Sequence, residues 1–265
     1  MIPGVYLAKR KNGVLYYRSS ITYKNKHISL GSFETETAAN HAYNDAHSLL
    51  GCTLGLTDSF HDMALPFEKI VVLINFRDNN VYIRNPIYLQ KRYFEYYLTK
   101  TIIYKFDIDD LFYYSEHKIS IRKGHLFVAD YGMQVNLASR YGIRNHAVQN
   151  RDYKFINGDP FDYRYENIEI INRYNGVMRV SKNNHILYKS YIHIKGNCII
   201  GYYETETEAA IAYNKAVDFL SHTSYSKDYT QNYIDNIAPS MYADIYTLIH
   251  LPSKLLLLEK SDYRH

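Results

Sequence analysis

The chain has 265 residues, with 31 Lys and Arg against 27 Asp and Glu and a formal net charge of +4, so overall charge alone does not mark a nucleic-acid binder. Two cysteines exclude a disulfide framework and suit a reducing compartment. The opening MIPGVYLAKRKNG has no apolar core of signal-peptide type and the longest apolar runs are short, so no membrane partner is expected. Tyrosine is unusually common, at 30 residues with no tryptophan, and its flat apolar body with a polar tip suits interfaces as well as cores.

Taken in chain order, the first elements are three strands, Val5–Lys9, Leu15–Tyr23 and His27–Phe33, rich in β-branched and aromatic residues and separated by Asn-, Gly- and Lys-containing turns. A helix follows from a cap at Thr35, with Ala39, Ala42, Tyr43 and Ala46 on one face. Residues 51–70 read as a connector, 71–85 as a hairpin turning at DNN, and 87–104 as aromatic with a helix around Arg92 to Leu98. A further hairpin is expected around Arg122–Gly124. The first pattern then returns. Strands are expected at Val177–Ser181, Ile186–Ile194 and Cys198–Tyr203, followed by a helix capped at Thr205, where Glu208 completes a capping box. One or two helices broken near Pro252 close the chain, with Leu255 to Leu258 packed on the body or forming a contact between copies of the chain.

The return is an internal repeat. From Glu34 to Ala46 the copies agree at nine of thirteen positions at a constant offset of 170. The offset grows to 171 at Tyr17 and Tyr188 and to 172 at Gly4 and Gly176, so the second copy is one residue shorter in each of two turn-like stretches. Length changes fall in turns and not inside strands, which predicts strand, turn, strand, turn, strand, helix. Charge is sorted in the same way twice. Residues 1–33 carry Lys9, Arg10, Lys11, Arg18, Lys24 and Lys26 and no acid; residues 173–203 carry Arg173, Arg179, Lys182, Lys189 and Lys195 and no acid. Acids begin with the helices, where the macrodipole favours them. A basic sheet with one face open suits the major groove of DNA, which admits β-strands; lysines that only keep an exposed sheet soluble are the alternative.

These residues resemble the ethylene-response-factor DNA-binding domain. The resemblance rests on Gly4–Val5 and Gly176–Val177, the strand-two cores Tyr17 to Ile21 and Tyr188 to Ile192, and LGSFETE at Leu30 to Glu36 with IGYYETE at Ile200 to Glu206. It implies that the exposed sheet face reads DNA through Tyr6, Ala8, Arg18, Ser20, Thr22, His27 and Ser29 in copy one. In copy two it implies Met178, Val180, Lys189, Tyr191, His193, Asn197 and Ile199. Arg10 and Arg179 join these sets from the basic runs. Several of the family's arginines and both of its tryptophans are absent, so sequence preference is not carried over.

Between the copies, DYKFINGDPFDYRYENIEIIN at Asp152 to Asn172 resembles the HNH motif of homing endonucleases. The family's metal-binding Asp falls at Lys154 and its general-base His at Phe155; Asn167 alone is retained. A hydrolytic nuclease needs a ligand set for a divalent cation and a base for the attacking water, and Lys154 and Phe155 provide neither. Asp159, Asp162 and Asn167 also make sense as turn residues. His146, upstream, and the nearby Asp159 and Asp162 are the residues that could take over, though a lone histidine in a tyrosine-rich fold is more often a packing or hydrogen-bonding residue. Arg122, Lys123, Arg140, Arg144 and Arg151 are candidates for a continuing basic path.

The expectation is therefore an α+β chain. Two three-stranded sheet-plus-helix modules, residues 1–55 and 173–225, flank a central α+β region, 56–172, with a degenerate HNH-like (ββα) motif, and helices occupy 226–265. The expected function is non-catalytic DNA binding, with double-stranded DNA as partner, self-association through the C-terminal segment, no cofactor or metal, and a cytoplasmic, nucleoid-associated location. A metal-dependent endonuclease and a protein-interaction scaffold built on the tyrosines are the alternatives.

Overall fold

A computed structural model describes residues 2–60, 62–130, 132–223 and 227–262. The chain is α+β, with helix and strand in equal shares and the sheets small and antiparallel. It forms two compact units, Met1–Leu137 with Asn157–Asn167, and Ala138–Ile156 with Ile168–His265.

The first unit opens with β1 (Val5–Lys9), β2 (Leu15–Tyr23) and β3 (Lys26–Phe33) in the order β1-β2-β3, then α1 (Glu36–Gly51). Lys24 and Asn25 both hold left-handed backbone, as a two-residue turn matched to strand twist requires. Ser19 faces Gly31 while Ser20 faces Ser29, so Leu30 is the extra residue of a bulge. Helix α1 starts where the Thr35 side chain accepts the Ala38 amide at 3.2 Å. Its Ala39, Ala42 and Ala46 are fully buried, which lets the helix lie close over Ile21, Ile28 and Leu30.

Next comes α2 (Phe67–Asn79), where the sequence predicted a connector up to residue 70 and a hairpin from residue 71. Every residue from Ile70 to Phe76 is buried, so a continuous apolar stretch that reads as strand is here a helix enclosed on all sides. The asparagines that looked like a hairpin turn end this helix: Asn80 is left-handed and its amide donates to the Phe76 carbonyl. The expected helix around Arg92 to Leu98 is likewise replaced, by strand. β4 (Ile87–Leu89), β5 (Tyr93–Tyr97) and β6 (Ile103–Asp107) form a sheet that buries the aromatic residues Phe94, Tyr96, Tyr97, Tyr104 and Phe106. A short α3 (Leu111–Glu116) is followed by β7 (Ile119–Arg122), β8 (His125–Asp130) and β9 (Met133–Asn136), with the expected hairpin at Lys123 and Gly124.

In the second unit β10 (Tyr153–Phe155) pairs with β11 (Ile168–Ile170). Asn157–Asn167, between these two strands, belongs to the first unit and ends in a 3-10 turn at Tyr165–Asn167, and the chain passes from β11 to the next strand with no α-helix between. The second copy then follows as β12 (Val177–Lys182), β13 (His185–His193), β14 (Asn197–Tyr203) and α4 (Glu206–Ser221). The β12–β13 turn is the two left-handed residues Asn183 and Asn184. The bulge recurs: Ser190 faces Gly201 and Tyr191 faces Ile199, leaving Ile200 as the extra residue. At the start of α4, Thr205 accepts the Glu208 amide at 3.2 Å and Glu208 accepts the Thr205 amide at 3.1 Å, the capping box the sequence predicted. Helices α5 (Pro239–Leu248) and α6 (Ser253–Asp262) are separated around Pro252. Leu255 is buried in the core with Ile192, Ile211 and Val217, while Leu256 and Leu257 are exposed. Among the described residues no helix is long and apolar enough to cross a membrane.

Candidate nucleic-acid interface

Side chains along a strand point alternately to the two faces of its sheet. In copy one, α1 covers the face that carries Val5, Ile21, Ile28 and Leu30. The opposite face carries Tyr6, Ala8, Tyr16, Arg18, Ser20, Thr22, His27 and Ser29. Register places Tyr6 beside Arg18 and Arg18 beside Ser32; Ser20 stands beside Ser29 and Thr22 beside His27. Tyr6, Arg18, Thr22, His27 and Ser29 are exposed. Arg10 joins this face, its guanidinium 5.5 Å from the centre of the Tyr16 ring. All seven positions predicted for copy one thus share this face, though Ser20 is buried beneath it. An open cleft of about 550 Å³ leads from Tyr6, Ser20, Thr22 and His27 to Tyr43 and His47 of α1.

Copy two builds the same face from different side chains. Met178 stands beside Lys189 and Lys189 beside Tyr202; Tyr191 stands beside Ile199, and His193 beside Asn197. The His193 Nδ1 and Asn197 Oδ1 atoms are 3.1 Å apart. Lys189 and Lys182 place their ammonium groups 5.3 Å from the ring centres of Tyr191 and Tyr202, a cation–π geometry. Arg179 does not join the set. It stands beside Tyr188 in the register, on the other side of β12 from Met178, and its amide donates to Asn172 Oδ1 at 2.6 Å. No family model, curated protein or solved structure matches this chain.

The two faces share cations at matched places, Arg10 with Lys182 and Arg18 with Lys189, each beside tyrosines. Tyr16, Ser32, Lys182 and Tyr202 belong to the faces but were not among the predicted residues. Period-two alternation from Arg18 and Lys189 and the strand register identify them. Other basic residues have structural work. Lys24 donates to Asn80 Oδ1 and to the Arg77 carbonyl at the end of α2, and Lys26 lies over the Tyr82 ring. Arg173 pairs with Asp235 at 3.1 Å. Arg144 and Arg151 converge on buried Asp152 at 3.0 and 2.6 Å, so neither is a free link in a basic path. Burial raises the Asp152 carboxyl, but the Arg151 hydrogen bond, the Val148 amide, Arg144 and Asn172 together hold it below the usual carboxylate value.

The nuclease-like positions are occupied by structural contacts. Lys154 stands opposite Glu169 in the hairpin and pairs with it at 2.9 Å; Phe155 is buried opposite Ile168. In the loop, Asn167 uses both ends of its amide, accepting from the Asn157 amide and donating to the Asp162 carbonyl, each at 2.8 Å. Asp162 is buried and accepts from Arg164 at 2.6 Å and from Asn157 Nδ2 at 2.9 Å. Burial opposes its charge, yet these donors keep its carboxyl below the usual value. Asp159 accepts the Phe161 amide and lies 3.4 Å from the Lys105 ammonium. His146 is exposed, with left-handed backbone. Among the described residues no three His, Cys, Asp or Glu gather as a metal-ligand cluster.

Proposed function

We propose that this chain is a non-catalytic DNA-binding protein that lays the open faces of its two three-stranded sheets against the major groove. The observation that carries this reading is the repetition of one surface: the same bulge and the same placing of cations beside tyrosines on the open face occur in both copies. A curved two- or three-stranded sheet fits the width of the major groove, and cations near its rim meet phosphates. The ethylene-response-factor resemblance supports the same docking mode. The ion pair of Lys154 with Glu169, the burial of Phe155 and the hydrogen bonds of Asn167 support a binding role without hydrolysis. A regulator or a factor of mobile-element origin, working in the cytoplasm at the nucleoid, fits this activity, and two linked modules on one duplex gain avidity.

The test is retention of a random-sequence duplex pool by the full chain at low and physiological salt, with and without magnesium, followed by sequencing and a denaturing gel. With about six phosphates neutralised, log affinity falls against log salt with a slope near −5. Retained, intact and motif-enriched DNA supports the reading. Failure to retain DNA at low salt refutes it, and strands cut only with magnesium refute its non-catalytic part.

A further inference from the structure

The two open faces share a backbone but differ in chemistry. Where copy one has Ala8, Tyr16 and Ser29, copy two has Val180, Leu187 and Ile199, and Met178 replaces Tyr6. Ile199 is 46% exposed and stands beside Tyr191 at the bulge, so this aliphatic side chain is presented at the surface and not folded inward. A cluster of aliphatic groups on an open face gains nothing from phosphates. Lys182 and Lys189 lie on the same face, so the surface that meets an anionic partner is aliphatic with cations among its tyrosines.

The major-groove edges of the base pairs offer one apolar group, the C5-methyl of thymine; the remaining functional groups are hydrogen-bond donors and acceptors. We infer that the copy-two face reads thymine methyl groups, and that the protein's target is bipartite, with a thymine-rich element under copy two and a polar, mixed-sequence element under copy one. This rests on the DNA-binding reading above. Copy one supplies the contrast: its exposed Arg18, Thr22, His27 and Ser29 are hydrogen-bonding groups suited to base N and O atoms. The cations do not distinguish the copies, because each face carries two at matched places.

The experiment replaces thymine by deoxyuridine, which keeps the A·T hydrogen-bond pattern and removes only the methyl. Duplexes selected from the random pool by the full chain are assigned to copies by their reduced affinity for the Arg18→Glu or the Lys189→Glu protein. They are then resynthesised with deoxyuridine in one half at a time. Each methyl removed from the copy-two half is expected to weaken binding about fourfold, the transfer value of one buried CH₂ group; the same replacement in the copy-one half leaves affinity unchanged. Ile199→Asn, at an exposed position, is expected to reduce the thymine-over-deoxyuridine preference while circular dichroism shows the fold intact. Equal affinity for thymine and deoxyuridine duplexes overturns this inference and leaves the DNA-binding reading standing. Absence of binding to any duplex overturns both.

Discussion

Gly176→Ala is expected to disable copy two through backbone geometry alone. Gly176 has a φ of +66°, and a Cβ built on it would lie 2.1 Å from Tyr213 Cδ2 and 2.5 Å from the Tyr191 carbonyl oxygen. The Gly176 carbonyl in turn accepts the Tyr191 amide at 2.8 Å, so the strand cannot move away without breaking that bond. A side chain on left-handed backbone costs about 1–2 kcal/mol, and overpacking at a site that cannot relax adds about 1–3 kcal/mol. The total, about 2–5 kcal/mol, is a large share of the stability of a domain this size. Gly158→Ala is the internal control: its φ is +79°, but no atom lies within 4 Å of its built Cβ, so only the conformational cost applies. Urea unfolding of both variants, followed by circular dichroism and by hydrogen exchange of the β12–β14 amides, separates the two contributions. A Gly176→Ala protein no less stable than Gly158→Ala would refute the close approach of Tyr213 to the strand as a determinant of the module. Gly4, with φ +71° and Tyr43 Cδ2 at the same 2.1 Å, is expected to behave alike in copy one.

Three further outcomes are expected. Arg18→Glu and Lys189→Glu should each weaken DNA binding and flatten its salt dependence, by about one unit of slope for each phosphate no longer neutralised, measured by titration at several salt concentrations. Ser19 and Ser190, equivalent and fully buried, have hydroxyls with no hydrogen-bond partner among the described residues; Ser→Ala at either site should leave stability unchanged or raise it by up to about 1 kcal/mol in urea unfolding, because a buried unsatisfied oxygen is removed. Asp152 and Asp162 have carboxyls held below the usual 3.8. The stability they contribute is complete above that value and is lost as pH falls through it toward their lower folded values. The urea midpoint should drop between pH 5 and pH 3, and Asp152→Asn combined with Asp162→Asn should flatten that drop while lowering stability at neutral pH by a few kcal/mol, as expected for breaking buried ion pairs.

Both modules were legible because the repeat aligns itself. Insertions in turns, a constant offset through the helix and a threonine before each alanine-rich face fix strands and caps within a residue or so. Residues 67–79 were not legible for a physical reason. A helix buried on every side has no polar stripe, so the hydrophobic period vanishes, and β-branched Val71, Val72 and Ile74 then point to strand. Pro66 before the run and Asn80 after it were the signals that favour helix. In β5 the masking runs the other way: Phe94, Tyr96 and Tyr97 are buried and Tyr93 and Glu95 partly so, but with tyrosine on both faces the alternation is hidden in a hydropathy reading. Of the candidate interface, the strand faces followed from alternation. Lys24, Lys26, Arg144 and Arg151, by contrast, carry charge in the sequence and direct it at Asn80, Tyr82 and Asp152, partners that only the folded chain brings near.

The bulge shared by the two sheets has a consequence for how the chain reaches its native pairing. Because Leu30 and Ile200 interrupt their ladders at the same point, β14 offers β2 nearly the same hydrogen-bonding template as β3 does, and β3 offers it to β13. Main-chain geometry therefore does little to reject a hybrid sheet; the side chains and the tether of each turn must do so. On the ribosome the first copy emerges and closes its sheet before the second has been made, and order of synthesis removes the competition. A chain refolding from denaturant has both strands present at once, and there the similarity that makes the repeat useful becomes a source of exchange between modules.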